Sequence, residues 1–188
     1  MNLAIDRANN ALPKGFVDGD QGAFNELYER FKNSLFRFIR RQIGNGEIAE
    51  EVFQETWLSI HKSRKLFDPD LNVSSYIFRI AHNKVVDYYR ANSKAQYVLY
   101  DENDDNNEDQ AATTTELDKK LHLLRGVERL LSLVDNLPAH QREVFLLKEE
   151  SGLSIADIAK VMEAGEEATK SRLRYAMKYL RNNMRDMR

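Results

Sequence analysis

A chain of 188 residues has room for one large domain or two small ones. It contains no cysteine, which excludes disulfides and thiolate metal sites, and no apolar run approaches the length of a bilayer span, so no membrane insertion is expected. The net charge of −2 hides a partition: residues 1–93 carry 13 Lys/Arg against 12 Asp/Glu, residues 94–118 carry 1 against 8, and residues 119–188 carry 14 against 10. Three Pro and eight Gly are few for a turn-rich β protein, so the expected class is all-α. The start MNLAIDRANN has no signal-peptide core, and with the absence of cysteine this points to a cytoplasmic protein.

A short stretch around residues 12–18 has no decisive pattern. "DQGAFNELYERFKNSLFRFIRRQIG" then places Phe24, Leu27, Phe31, Leu35, Phe38 and Ile39 on one helical face, with Asp20 able to cap. "EIAEEVFQETWLSIHKSRKL" follows Asn45-Gly46 and turns Ile48, Val52, Trp57 and Ile60 inward. Opposite that stripe lies an acidic surface of Glu47, Glu50, Glu51, Gln54 and Glu55. It is either a solvated face or a seat for a basic partner. "SSYIFRIAHNKVVDYYRA" follows the breaker Asp68-Pro69-Asp70 and buries Tyr76 or Ile77, Ile80, Val85 and Tyr88. Arg79, Asn83, Asp87 and Arg90 lie close together on its other face. A solvated polar ladder and a nucleic-acid surface both fit that arrangement. Fifteen of the 18 aromatic residues fall in the first 100 positions, so this first domain, residues 1–93, has the larger rings for its core.

"YDENDDNNEDQAATTTELD" is too polar to bury surface enough to offset its ordering entropy, so residues 94–118 read as a flexible acidic linker. Beyond it, Leu117, Leu121, Leu124, Leu131 and Val134 mark a helix that Leu137-Pro138 stops. "AHQREVFLLKEES" is the next helix, and Gly152 ends it. Ser154 with Asp157 starts a short helix bearing Ile155, Ile158, Ala159 and Met162. After Glu163-Ala164-Gly165 comes a basic helix. Two helices on a tight turn fit a helix-turn-helix or an ordinary helical hairpin.

Catalytic patterns are absent. The four His are scattered, none follows a Glu by three residues, and there is no phosphate-binding Gly loop, nucleophile elbow or zinc motif. No enzyme, cofactor or metal is therefore expected.

The combination of segments is specific. "GDQGAFNELYERFKNSLFRFIRRQIGNGEIAEEVFQETWLSI" resembles the opening half of the sigma-2 domain of bacterial RNA polymerase sigma factors. "SSYIFRIAHNKVVDYYR" resembles the helix after it that melts the promoter and reads the −10 element. "LPAHQREVFLLKEESGLSIADIAKVM" with "ATKSRLRYAMKYLR" is similar to the sigma-4 domain that reads the −35 element. Two such domains on an acidic linker resemble the extracytoplasmic-function subfamily.

The resemblance implies two helical domains, residues 1–93 and 119–188, and a factor that directs initiation without catalysing it. The implied partners are core RNA polymerase, promoter DNA and a cognate anti-sigma protein. Core polymerase would contact Glu50, Glu51, Gln54 and Glu55. The −10 region would meet Asp70, Asn72, Ser74, Arg79, Asn83, Lys84, Asp87 and Arg90. The −35 element would meet Glu167, Thr169, Lys170, Ser171, Arg172, Arg174 and Lys178, with Leu173, Ala176, Met177 and Leu180 facing the core. The chain departs from the family pattern at Tyr76-Ile77, where Trp-Leu is usual, at Ala168-Thr169, where Thr-Val is common, and at Tyr175, where Arg is common. Glu166-Glu167 at the start of the basic helix is also unusual; the two carboxylates complement the helix dipole. The rival readings are a helix-turn-helix regulator acting without polymerase and a protein-only helical adaptor.

Overall fold

The computed structural model describes residues 15–67, 72–92 and 116–185. Seven α-helices run through them: α1 (Gln21–Ile43), α2 (Gly46–Ser63), α3 (Val73–Ala91), α4 (Glu116–Asp135), α5 (Ala139–Ser151), α6 (Ile155–Val161) and α7 (Glu166–Arg185). A 3₁₀ turn, Arg64–Leu66, follows α2. Residues 94–115 of the acidic linker lie outside the described residues. Helix α4 begins at Glu116, three residues inside the stretch assigned to the linker.

Short polar side chains fix where the helices start. Asp20 Oδ1 accepts from the Ala23 amide at 2.7 Å, Asn45 Oδ1 from Ile48 at 3.2 Å, and Asn72 Oδ1 from Ser74 at 2.8 Å. Ser154 Oγ accepts from the Asp157 amide at 3.1 Å. Each cap satisfies a donor with no partner inside the helix and contributes about 1 kcal/mol. Gly44 (φ 77°) ends α1 in a conformation that costs a side chain, which lets α2 fold back after a two-residue connection.

The N-terminal domain is α1–α3 around a core of Leu27, Phe31, Leu35, Phe38 and Ile39 from α1, Val52, Trp57 and Ile60 from α2, and Val73, Ile77, Phe78, Ala81 and Val85 from α3. Its rings meet edge to face, as Phe38 does Phe78 with centroids 5.5 Å apart. The C-terminal domain buries Leu133, Val134, Val144, Leu147, Ile158, Ala176 and Leu180 with α5 and α7 packed together.

The two domains touch. Helix α1 packs on α5, and α3 packs on both α5 and α6. This corrects the reading of α3, whose expected core positions Ile80 and Tyr88 are only half-buried while Phe78, Ala81 and His82 are buried. A helix covered on two sides has a wider buried arc than one apolar stripe reveals.

Candidate nucleic-acid interface

The acidic surface of α2 stands as the sequence places it. Glu50, Glu51, Gln54 and Glu55 are all exposed, and Lys84 of α3 bonds Glu55 at 3.2 Å. Sequence reasoning missed Leu58, which is 58% exposed and lies one turn beyond Gln54 on the same face. Beside it runs an apolar groove of about 460 Å³ lined by Phe24, Tyr28, Phe53, Gln54, Trp57 and Leu58, among others. The buried indole N–H of Trp57 has no hydrogen-bond partner. The only trace of Leu58 in the sequence is an apolar residue displaced from the inward stripe.

On α3, Arg79, Asn83, Asp87 and Arg90 are exposed together. Asp87 lies 3.8 Å from Arg90 within the face, and Arg79 reaches the C-terminal domain, where its guanidinium is 3.1 Å from Glu163. The residues at the start of the helix divide. Asn72 spends its side-chain oxygen on the cap. Ser74 is buried, which corrects its assignment to DNA; it sits one turn before Phe78 and shares that inward side. Asp70 lies outside the described residues. Phe67 is buried edge to face against Tyr76 at 5.1 Å. Burial raises the pKa of the Tyr76 phenol above its ordinary value, and a hydrogen bond with Ser63 at 2.8 Å partly opposes the shift.

In the C-terminal domain, α6, a turn and α7 form the helix pair. The turn is made by Glu163 in the left-handed region (φ 51°), with the Ala164 amide donating to the Ala159 carbonyl at 2.9 Å. Lys170, Arg174 and Lys178 recur every fourth residue and are all exposed, while Leu173, Ala176 and Leu180 lie on the inner side. Glu167, exposed, is 3.9 Å from Lys170. Ser171 is half-buried. The Arg174 guanidinium sits 5.2 Å from the centroid of the Tyr175 ring, a cation–π contact.

Three expectations fail on this helix. Thr169 is fully buried and its hydroxyl donates to the Gly165 carbonyl at 3.0 Å, so it closes the first turn instead of facing solvent. Arg172 is half-buried and, two residues from Arg174, points to the opposite side of the helix. Met177, expected in the core, is 40% exposed.

Among the described residues, no group of three His, Asp or Glu is placed to hold a metal ion, and no helix is long and apolar enough to cross a membrane.

Two family models match the chain. Sigma-70 region 2 covers residues 27–95, and Sigma-70 region 4 covers residues 127–180. The chain is 30% identical over 168 residues to the ECF RNA polymerase sigma factor SigM of Mycobacterium tuberculosis (strain ATCC 35801 / TMC 107 / Erdman), covering 89% of this chain and 80% of the relative. It is 25% identical over 191 residues to the ECF RNA polymerase sigma-E factor of Haemophilus influenzae, covering 98% of this chain and all of the relative. Its fold is similar to that of the sigma factor RpoE from Bartonella quintana, solved in complex with the anti-sigma factor NepR, with a TM-score of 0.64, 19% identity, and coverage of 88% of this chain and 98% of that one. With a region 2 domain, a region 4 domain and relatives of this kind matched over at least 80% of their length, the chain belongs to the sigma-70 family of RNA polymerase sigma factors, in the ECF subfamily, and is an alternative sigma factor that directs transcription.

Proposed function

We propose a division of labour over three surfaces. Glu50, Glu51, Gln54 and Glu55, with Leu58 at their edge, bind core RNA polymerase. Asn72, half-buried Lys84 and the exposed face of α3 (Arg79, Asn83, Asp87 and Arg90) meet the −10 region as it opens. Glu167, Lys170, Ser171, Arg174 and Lys178 on α7 meet the −35 element. The factor positions the polymerase, which carries out the chemistry, and it works in the cytoplasm. A cognate anti-sigma protein is the expected antagonist, since the similar fold of the Bartonella protein was solved with one.

The observation that carries this reading is the open row of Lys170, Arg174 and Lys178 on the second helix of a helix pair. A helix laid in the major groove brings its N-terminal residues to base edges and its later ones to phosphates. Lys170 and Arg174 then read bases, and Lys178 holds the backbone. Glu166 and Glu167 stabilise the positive end of the helix. Run-off transcription with core polymerase, on templates randomised across the −35 element, tests the assignment. If Lys170→Ala and Arg174→Ala both leave the preferred sequence unchanged, α7 is not the reader.

A further inference from the structure

Residues 15–20 make a closed turn that brings the chain to one end of the apolar groove beside Leu58. The Asp20 amide donates to the Gly15 carbonyl at 2.9 Å, and Gly15 holds φ 85°, a conformation that favours glycine. A Cβ at Gly15 would stand 2.9 Å from the Asp20 Cβ, so a side chain there would force the turn open. Gln21, the next residue, lines the groove. Phe16 is buried in a stack on Phe24 with centroids 6.4 Å apart. Phe24 is itself a wall of the groove, edge to face with Trp57 at 5.8 Å. Residue 14 therefore joins the domain at the groove's rim. Residues 1–14, MNLAIDRANNALPK, lie outside the described residues.

We propose that residues 1–14 occupy this groove in the free protein, so that core polymerase docks on α2 by displacing the chain's own N-terminal segment. The proposal rests on the reading of α2 as the polymerase surface. Three complementarities point to this occupant. The segment offers Leu3, Ile5 and Leu12 to a groove walled by Phe24, Tyr28, Phe53, Trp57 and Leu58. Its Arg7 and Lys14 outweigh Asp6, and its positive charge is opposite to that of exposed Glu50, Glu51 and Glu55 on the face of α2 that the groove borders. Its backbone carbonyls can accept from the Trp57 N–H, which has no partner among the described residues although Trp57 is only 6% exposed. A buried donor left unpaired is unfavourable, so an acceptor gains by arriving there. The tether is long enough. From Gln21 to Tyr28 the groove follows about 10 Å of α1, and a segment of this length extends to at most about 50 Å. Attached at the rim, it acts at an effective concentration on the order of millimolar, so even weak contacts keep the groove filled. A partner that needs the groove empty binds more weakly by the fraction of time it is empty.

The test uses the full chain carrying Leu3→Ser, Ile5→Ser and Leu12→Ser, and a dye-labelled synthetic peptide of residues 1–14. None of the three positions belongs to the proposed DNA or polymerase surfaces. The triple variant should bind core polymerase about tenfold more tightly than the wild type if the wild-type groove is empty about a tenth of the time. In an anisotropy titration the peptide should bind the triple variant, bind the wild type about tenfold more weakly, and leave when core polymerase is added. A peptide with the same three serines should not bind. A triple variant that binds core polymerase no more tightly overturns the proposal, as does a peptide that does not distinguish the two chains. If the variant loses melting temperature and core binding together, the segment belongs to the packing of the domain and the competition is overturned. Sedimentation of the wild type as a dimer and of the variant as a monomer would give the groove to a second copy of the chain, which also overturns it. If the peptide binds as expected but core polymerase does not displace it, Glu51→Lys with Glu55→Lys separates the two failures. Lost copurification leaves the polymerase surface standing and removes only the competition; retained copurification removes both.

Discussion

Thr169 and Lys170 are adjacent and opposite in role. Thr169 lies seven residues before buried Ala176, about two helical turns, and so points at the same core. Thr169→Ala should cost the C-terminal domain about 1–2 kcal/mol in thermal or denaturant unfolding through the lost methyl group and hydrogen bond. It should leave −35 preference unchanged. Lys170→Ala should do the reverse, leaving stability intact while lowering discrimination at one promoter position by about 1–3 kcal/mol. The heptad relation of Thr169 to Ala176 was legible in the sequence, but the family motif outweighed it. Tyr76 makes a second prediction. Its folded pKa is raised, so the stability it contributes is present below the unfolded value near 10 and is lost as pH rises through the folded value. Tyr76→Phe should flatten the fall in stability above about pH 10 while lowering stability near neutrality, because the phenol's contacts with Ser63 and the Ile60 carbonyl disappear. Denaturant midpoints measured across alkaline pH decide it.

For elements, the helix starts were the most readable part, because a cap is a local bargain between one side chain and the next turn. Asp20 and Ser154 cap as their sequences predict. Burial on α3 was less readable, since periodicity reports how much of a helix is covered and nothing about what covers it. On α2, the acidic residues were legible and Leu58 was not, because one displaced leucine has no pattern to belong to. Glu51→Lys with Glu55→Lys should abolish copurification with core polymerase at unchanged helix content, each desolvated pair being worth roughly 2–5 kcal/mol when one partner is removed. Leu58→Ala should weaken the same copurification with little change in melting temperature, since an exposed side chain contributes little to folding and an apolar anchor contributes much to docking. On α7, Lys178→Ala should weaken all promoters alike and reduce the salt slope by about one, as expected of a phosphate contact.

For the molecule as a whole, composition divided the chain correctly into two helical parts but could not show that the parts meet. The pairs that join them, Arg37 with Glu150, Arg41 with Asp135, Arg79 with Glu163 and His82 with Glu143, are 113, 94, 84 and 61 positions apart. No window of local sequence spans such distances. Charge balance hid the contact further, because the bridging Arg and Glu look like ordinary solvated residues on their own helices.

Trp57 is the chain's single tryptophan. Its indole is buried with an unpartnered N–H beside the groove that runs along the proposed polymerase surface. The protein thus carries one indole fluorophore, placed where docking would change the polarity around it and far in sequence from the helix proposed to read the −35 element. Replacing that indole with 5-hydroxytryptophan lets it be excited at wavelengths where the many tryptophans of polymerase absorb little. Its spectrum should move on adding core enzyme and stay still on adding a −35 duplex alone, so the order in which the factor engages its two partners can be followed in real time from one atom group it already has.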